Sequence, residues 1–165
     1  MANKFLKKVT QVLRTTTDAF IQNTLCRRET EYIDPYSDSL EEKVTLRFCA
    51  VGECLHTIGY TCEQMKDCGS IATFTRLSED ETEFQYYEAK QKLTEKYGID
   101  FVTRYKEPIA CILCEVQDEY AIKIKNFEML VQHCNDAHAQ SFTEVANNLD
   151  KFAKVYDLET GEKLK

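Results

Sequence analysis

Apolar residues first recur at near-helical spacing in Leu6, Val9, Leu13 and Phe20, with Lys7, Lys8 and Arg14 on other faces. The spacing predicts a basic amphipathic helix from Lys4 to about Leu25. Between Tyr32 and Glu42 there is no period, several acids and a proline, Pro35, so this stretch reads as a linker. From Lys43 to Ala50, Val44, Leu46 and Phe48 alternate with Lys43, Thr45 and Arg47, the period of a half-buried strand. Ile71 to Leu77 alternates less cleanly and reads the same way. Ser78 and Glu81 form a capping-box pattern ahead of Tyr86, Ala89, Leu93 and Tyr97, and Gly98 supplies the stop, so a helix is expected there.

Short apolar segments at Phe101 to Tyr105, Ile109 to Leu113 and Tyr120 to Ile124 suggest strands. Asn126 is placed to cap a helix running to about Ala139. Ser141 with Glu144 opens another, whose stripe of Phe142, Val145, Leu149, Phe152 and Tyr156 must pack on the core or on another chain. The polar tail from Leu158 to Lys165 is expected to fray.

Composition narrows the class. With 43% hydrophobic and 30% charged residues the chain has the make-up of a folding globular protein rather than a disordered one. No apolar run reaches the roughly 18 to 20 residues that span a bilayer, and the first residues lack the continuous apolar segment of a secretory signal. An intracellular protein, nuclear or cytoplasmic, is the expectation, and in that setting the eight cysteines are not expected to form disulfides. Their clustering turns attention to metal ligation instead.

The strongest constellation is Cys111-Ile-Leu-Cys114 followed by His133-Cys134-Asn-Asp-Ala-His138. A Cys-x-x-Cys turn presents two thiolates to one ion, and a following helix brings two further ligands to complete the tetrahedron that zinc prefers. Over about residues 109–140 the chain resembles a zinc finger of the two-Cys two-His type, in the knuckle, in Leu130 with two residues between it and His133, and in the four residues between His133 and His138. It departs from that pattern in the 18 residues that separate Cys114 from His133, against about 12 in ordinary fingers. The resemblance implies a structural Zn2+ held by Cys111, Cys114, His138 and either His133 or Cys134. Cys134 and His138 share a helical face, whereas His133 and His138 need a distorted last turn.

A second group, Cys49, Cys54, Cys62 and Cys68, lies within twenty residues, with Gly52 and Gly59 between them. It is a candidate second zinc site, with separate buried cysteines as the alternative reading. Cys26 stands alone and reads as a packing residue. Enzyme signatures are weak in comparison. The flanks of the Cys111 knuckle look extended rather than helical, His56 is not followed by the glutamate of a zinc deaminase, and no glycine-rich phosphate loop is present among the 5 glycines.

The net charge of −7 opposes a surface built throughout for phosphate, yet residues 1–28 carry Lys4, Lys7, Lys8, Arg14, Arg27 and Arg28 against Asp18 alone. The helix after Asn126 is acidic and poor in arginine, which argues against base reading in the manner of finger arrays. The sequence therefore points to an α+β, small zinc-stabilised protein with a zinc-finger-like ββα module and flanking amphipathic helices. Its parts are a basic helix and linker at 1–42, an α+β part with the cysteine cluster at 43–106, the finger-like module at 107–140 and a C-terminal helix and tail at 141–165. The expected function is that of a non-enzymatic zinc-binding adaptor or regulatory protein that binds a protein partner. The alternative is a nucleic-acid-binding protein, for RNA or DNA, that uses the six basic residues of the N-terminal segment.

Overall fold

The computed structural model describes residues 3–33, 36, 41–66, 68–71, 82–113, 123–137 and 139–165, with backbone alone at 82–85. Helix α1, Leu6–Thr15, buries Phe5, Leu6, Val9 and Leu13 and leaves Lys7, Lys8 and Gln11 exposed. It is shorter than the expected Lys4 to Leu25. It ends within a run of three threonines, Thr15 to Thr17, β-branched and reluctant in helix, and Thr16 is already extended.

Past that turn the chain forms β1, Ala19–Phe20, then β2, Cys26–Tyr32, and β3, Glu42–Phe48. The sheet order is β1-β3-β2. β2 and β3 pair antiparallel along their whole length, from Cys26 opposite Phe48 to Tyr32 opposite Glu42. β1 runs parallel to β3 and pairs only Arg47 and Phe48 at its base. The expected strand at Lys43 to Ala50 is thus present, shifted by one or two residues. The expected linker is bounded by strand ends at Tyr32 and Glu42, and its residues 34–35 and 37–40 lie outside the described residues.

The cysteine-rich stretch is helical. Helix α2, Ala50–Thr57, is almost wholly buried, and Cys49 caps it by accepting the Gly52 N–H at 3.3 Å. Helix α3, Cys62–Met65, starts from a capping box in which Thr61 and Gln64 satisfy each other's backbone N–H groups. Helix α4, Thr82–Tyr97, ends at Gly98, whose φ of 78° suits glycine and whose N–H bonds to the Thr94 carbonyl at 2.8 Å. The expected capping residues Ser78 and Glu81, and the strand expected at 71–77 beyond Ile71, lie outside the described residues.

Phe101 to Tyr105 is not a strand. The Asp100 carboxylate accepts the N–H groups of Val102 and Thr103, bending the chain so that the Phe101 ring enters the core between Tyr97 and Phe127. The two expected strands after it meet in one isolated antiparallel bridge, Ile109 with Ile124, and residues 114–122 lie outside the description.

Helix α5, Phe127–Asp136, and helix α6, Phe142–Ala153, begin where expected, with Asn126 accepting from the Met129 N–H and Ser141 from the Glu144 N–H. The stripe of α6 is filled by the core and by α1, where Arg14 reaches Asp150 at 2.6 Å and Asn147 at 3.1 Å. The tail does not fray. Tyr156 bridges to Lys163, Leu158 is fully buried, and the Tyr105 hydroxyl donates to the Leu158 carbonyl at 2.7 Å.

The architecture is α+β, with a three-stranded sheet and six helices among the described residues. One cluster of buried side chains runs from Phe5 to Leu158 and joins all the helices to the base of the sheet. None of the described helices is long and apolar enough to cross a membrane.

Candidate functional site: the projecting hairpin

The residues expected to hold zinc are placed as follows. Cys111 Sγ lies 3.0 Å from His133 Nε2, so the knuckle cysteine and the helix histidine do meet. His133 is 8% exposed and its ring sits edge-on to Phe152. Cys134 is fully buried in the core, and burial pushes its thiol far above the ordinary range. Cys114 and His138 lie outside the described residues. Among the described residues no three histidine, cysteine, aspartate or glutamate side chains converge in a way that could hold a metal ion. The zinc-finger resemblance and the Zn2+ cofactor are therefore corrected.

The second cluster is dispersed for a visible reason. Cys62 is bonded to Cys26, the residue taken as simple packing, in a disulfide that ties α3 to the start of β2. Cys49 and Cys54 are buried, and burial pushes both thiols up to about 12, so they are neutral core residues. Cys68 Sγ points at the Lys66 carbonyl at 3.5 Å. The expectation that the cysteines are all reduced is corrected by the same disulfide. What clusters in the sequence is a hydrophobic helix and its staple.

The basic residues do not form one patch. Arg14 is held by α6, while Arg27 and Arg28 stand on β2 and make no ion pair with any described residue. Lys4, Lys7 and Lys8 line the exposed side of α1.

The hairpin itself is the unusual surface. Beyond its base, β2 and β3 form a two-stranded arm, because β1 reaches only Arg47 and Phe48. Alternation puts Arg28, Thr30, Tyr32, Val44 and Leu46 on one face, continuous with the buried Cys26 and Phe48. The other face carries Arg27, Glu29, Glu31, Lys43, Thr45 and Arg47. Both faces of the arm are open to solvent: Val44, Leu46 and Tyr32 are 43%, 40% and 58% exposed, and the side chains of Arg47 and Glu29, paired at 2.7 Å, are 38% and 37% exposed.

Comparison with protein-family models, with curated protein sequences and with solved structures gives no match. The site must be read from its own chemistry.

That chemistry includes main-chain groups. The Ile33 N–H bonds to the Glu41 carbonyl, so bonded pairs recur at every second residue, and the N–H and C=O of Arg28, Thr30 and Tyr32 point away from β3. Among the described residues only the first position of this edge is covered, where Lys66 forms a parallel bridge with Cys26. The arm thus presents, among the described residues, an open strand edge on β2, an apolar row on one face and the guanidinium groups of Arg27 and Arg28 without an ion pair. Sequence reasoning missed this surface. The alternation in β3 was visible, but Cys26-Arg-Arg-Glu-Thr-Glu-Tyr32 has no apolar period to mark it as a strand, because neither of its faces is buried.

Proposed function

We propose that the protein is a non-enzymatic adaptor that captures an extended segment of a protein partner as an additional strand on the open edge of β2. The observation that carries this reading is the open two-stranded arm, with Tyr32, Val44 and Leu46 exposed on one face beside the outward main-chain groups of β2. A two-stranded ribbon is marginally stable alone, and a further strand would satisfy the outward main-chain groups of Arg28, Thr30 and Tyr32. The occupant should alternate, with apolar side chains on the face of Tyr32, Val44 and Leu46 and acids on the opposite face beside Arg27, which makes no ion pair with any described residue.

The test is selection of random displayed peptides against the full chain, followed by affinity measurements on the winners. Alternating acidic-apolar winners that protect the Arg28, Thr30 and Tyr32 amides from exchange, and that bind at least tenfold more weakly to Val44→Lys and Leu46→Lys variants, are expected. Winners indifferent to both substitutions would overturn the reading. A single-stranded RNA probe belongs in the same series. Tight RNA binding that collapses with salt and with a Lys7→Glu, Lys8→Glu double variant would favour the basic face of α1 and nucleic acid instead.

A further inference from the structure

A second feature, independent of the hairpin's occupant, lies where the chain leaves α1. Glu53, in the first turn of α2, is 3% exposed, a rare position for a carboxyl group. Its Oε1 accepts the Thr16 hydroxyl at 2.6 Å, and the same hydroxyl oxygen accepts the Asp18 N–H at 3.1 Å. Its Oε2 is buried and meets no donor, and the neighbouring Asp18 carboxyl, carried two residues beyond Thr16, opposes its ionisation. Two ionised carboxylates are both acceptors and cannot bond, but one proton on Oε2 turns the contact into an O–H···O− hydrogen bond.

We propose that Glu53 and Asp18 share one proton, forming a pH-gated latch that fastens the Thr16–Asp18 segment to α2 and so holds β1 against the base of the hairpin. The placement gives the latch its consequence. Asp18 is followed directly by β1, and the Ile21 N–H bonds to the Phe48 carbonyl at 3.0 Å, the pairing that supports β3 on that side among the described residues. When the proton leaves Glu53, a second negative charge appears on a buried carboxyl beside Asp18, and the segment is driven off.

The other charged and titratable groups around Glu53 do not supply a substitute proton donor. His56, one turn along α2, directs Nε2 at Asp18 from 3.9 Å while its Nδ1 contacts the Tyr60 carbonyl at 3.2 Å. Cys49 and Cys54 on either side are neutral buried thiols, and Asp136 and Glu128 of α5 lie beyond Cys49. From α4, the Tyr97 hydroxyl is bonded to Thr57 at 2.6 Å and Lys96 reaches the Thr57 carbonyl at 3.2 Å. Burial, reinforced by the Asp18 carboxyl, pushes Glu53 up to about 7 from the ordinary 4.5. The sign follows from that direction. An acid raised in the folded state costs nothing below its unfolded value, and its penalty grows as pH climbs from about 4.5 to about 7, so the latch is closed in mild acid and loosened above neutrality.

The experiment is hydrogen exchange by NMR on the full chain at pH 5.5 and 8.5, reading protection factors corrected for intrinsic rates. Wild-type protection at the Ile21 amide is expected to fall at least tenfold with rising pH, while that at Leu130 in the core of α5 holds. In Glu53→Gln the side-chain amide donates permanently to Asp18, and the fall should vanish. In Asp18→Asn the charge beside Glu53 is removed while its burial remains, so the fall should shrink, which serves if the buried substitution does not fold. A flat wild-type profile, or an equal fall in either variant, would overturn the latch. Because both variants keep His56, an unchanged fall would move the titration to that ring.

Discussion

Gly52 is the residue at which one methyl group should matter most. It lies in α2 with ordinary helical geometry, and a Cβ built on it would stand 1.9 Å from the Leu25 carbonyl oxygen. An ordinary carbon–oxygen contact is about 3.3 Å, so either backbone must retreat by roughly 1.4 Å. Neither is loose. The Leu25 carbonyl accepts the Cys49 N–H at 3.2 Å, the Leu25 N–H is bonded to the Cys68 carbonyl at 2.8 Å, and the next residue is disulfide-bonded. Alanine gains about 1 kcal/mol in helix propensity over glycine. Against this stand about 1 to 3 kcal/mol for overpacking and about 1 kcal/mol for the disturbed hydrogen bond. Gly52→Ala should therefore destabilise by about 2 kcal/mol, or about 4 to 8 °C in Tm for a chain of this size. Urea unfolding of the wild type beside Gly52→Ala measures it, with Gly69→Ala, which meets nothing within 4 Å, as the control. A Gly52→Ala midpoint within error of the control would mean that α2 does not sit on the Leu25 backbone as described.

Two further perturbations probe the same body. Opening the Cys26–Cys62 bond, which closes a loop with a sequence separation of 36, should cost about 3 to 4 kcal/mol, read as the difference between urea curves with and without reductant; no difference would mean that the bond does not form in solution. Asn135, 1% exposed, accepts the Ala50 N–H at 2.8 Å and donates to the Ile21 carbonyl at 3.2 Å, so Asn135→Ala strands both groups and should cost about 2 to 4 kcal/mol by thermal unfolding, whereas a loss below 0.5 kcal/mol, on the order expected for surface changes, would count against this bridge.

Elements with a local signal could be read from the sequence. Asn126 and Ser141 announce α5 and α6 because capping is a short-range bond to a backbone N–H two or three residues on. β3 was visible through Val44, Leu46 and Phe48, although the period that betrayed the strand does not mark a buried face until Phe48. Helix α2 was hidden because it is buried on nearly every side, which removes the polar stripe that defines a helical period. The same burial made its cysteines resemble ligands, when Cys49 and Cys54 serve as small core side chains. The pairing of Cys26 with Cys62 depends on a tertiary contact between β2 and α3 that no spacing rule encodes. Glu53 carries no signal at all in the sequence, since its burial depends on Thr16 and Asp18 arriving from another element.

The packing of α1 against α6 also bears on how the molecule is made. Phe5 stacks edge-on against Phe127, and Asn3 donates to the carbonyls of Ala153 and Tyr156 while accepting the Leu158 N–H at 2.7 Å. During ribosomal synthesis the apolar side of α1 emerges well before its partners in α6, a delay on the order of ten seconds at ordinary elongation rates. For that interval Leu6, Val9 and Leu13 have no native neighbour from α6 to cover them, so the nascent chain is a natural client for chaperones, and its yield should depend on the pace of translation.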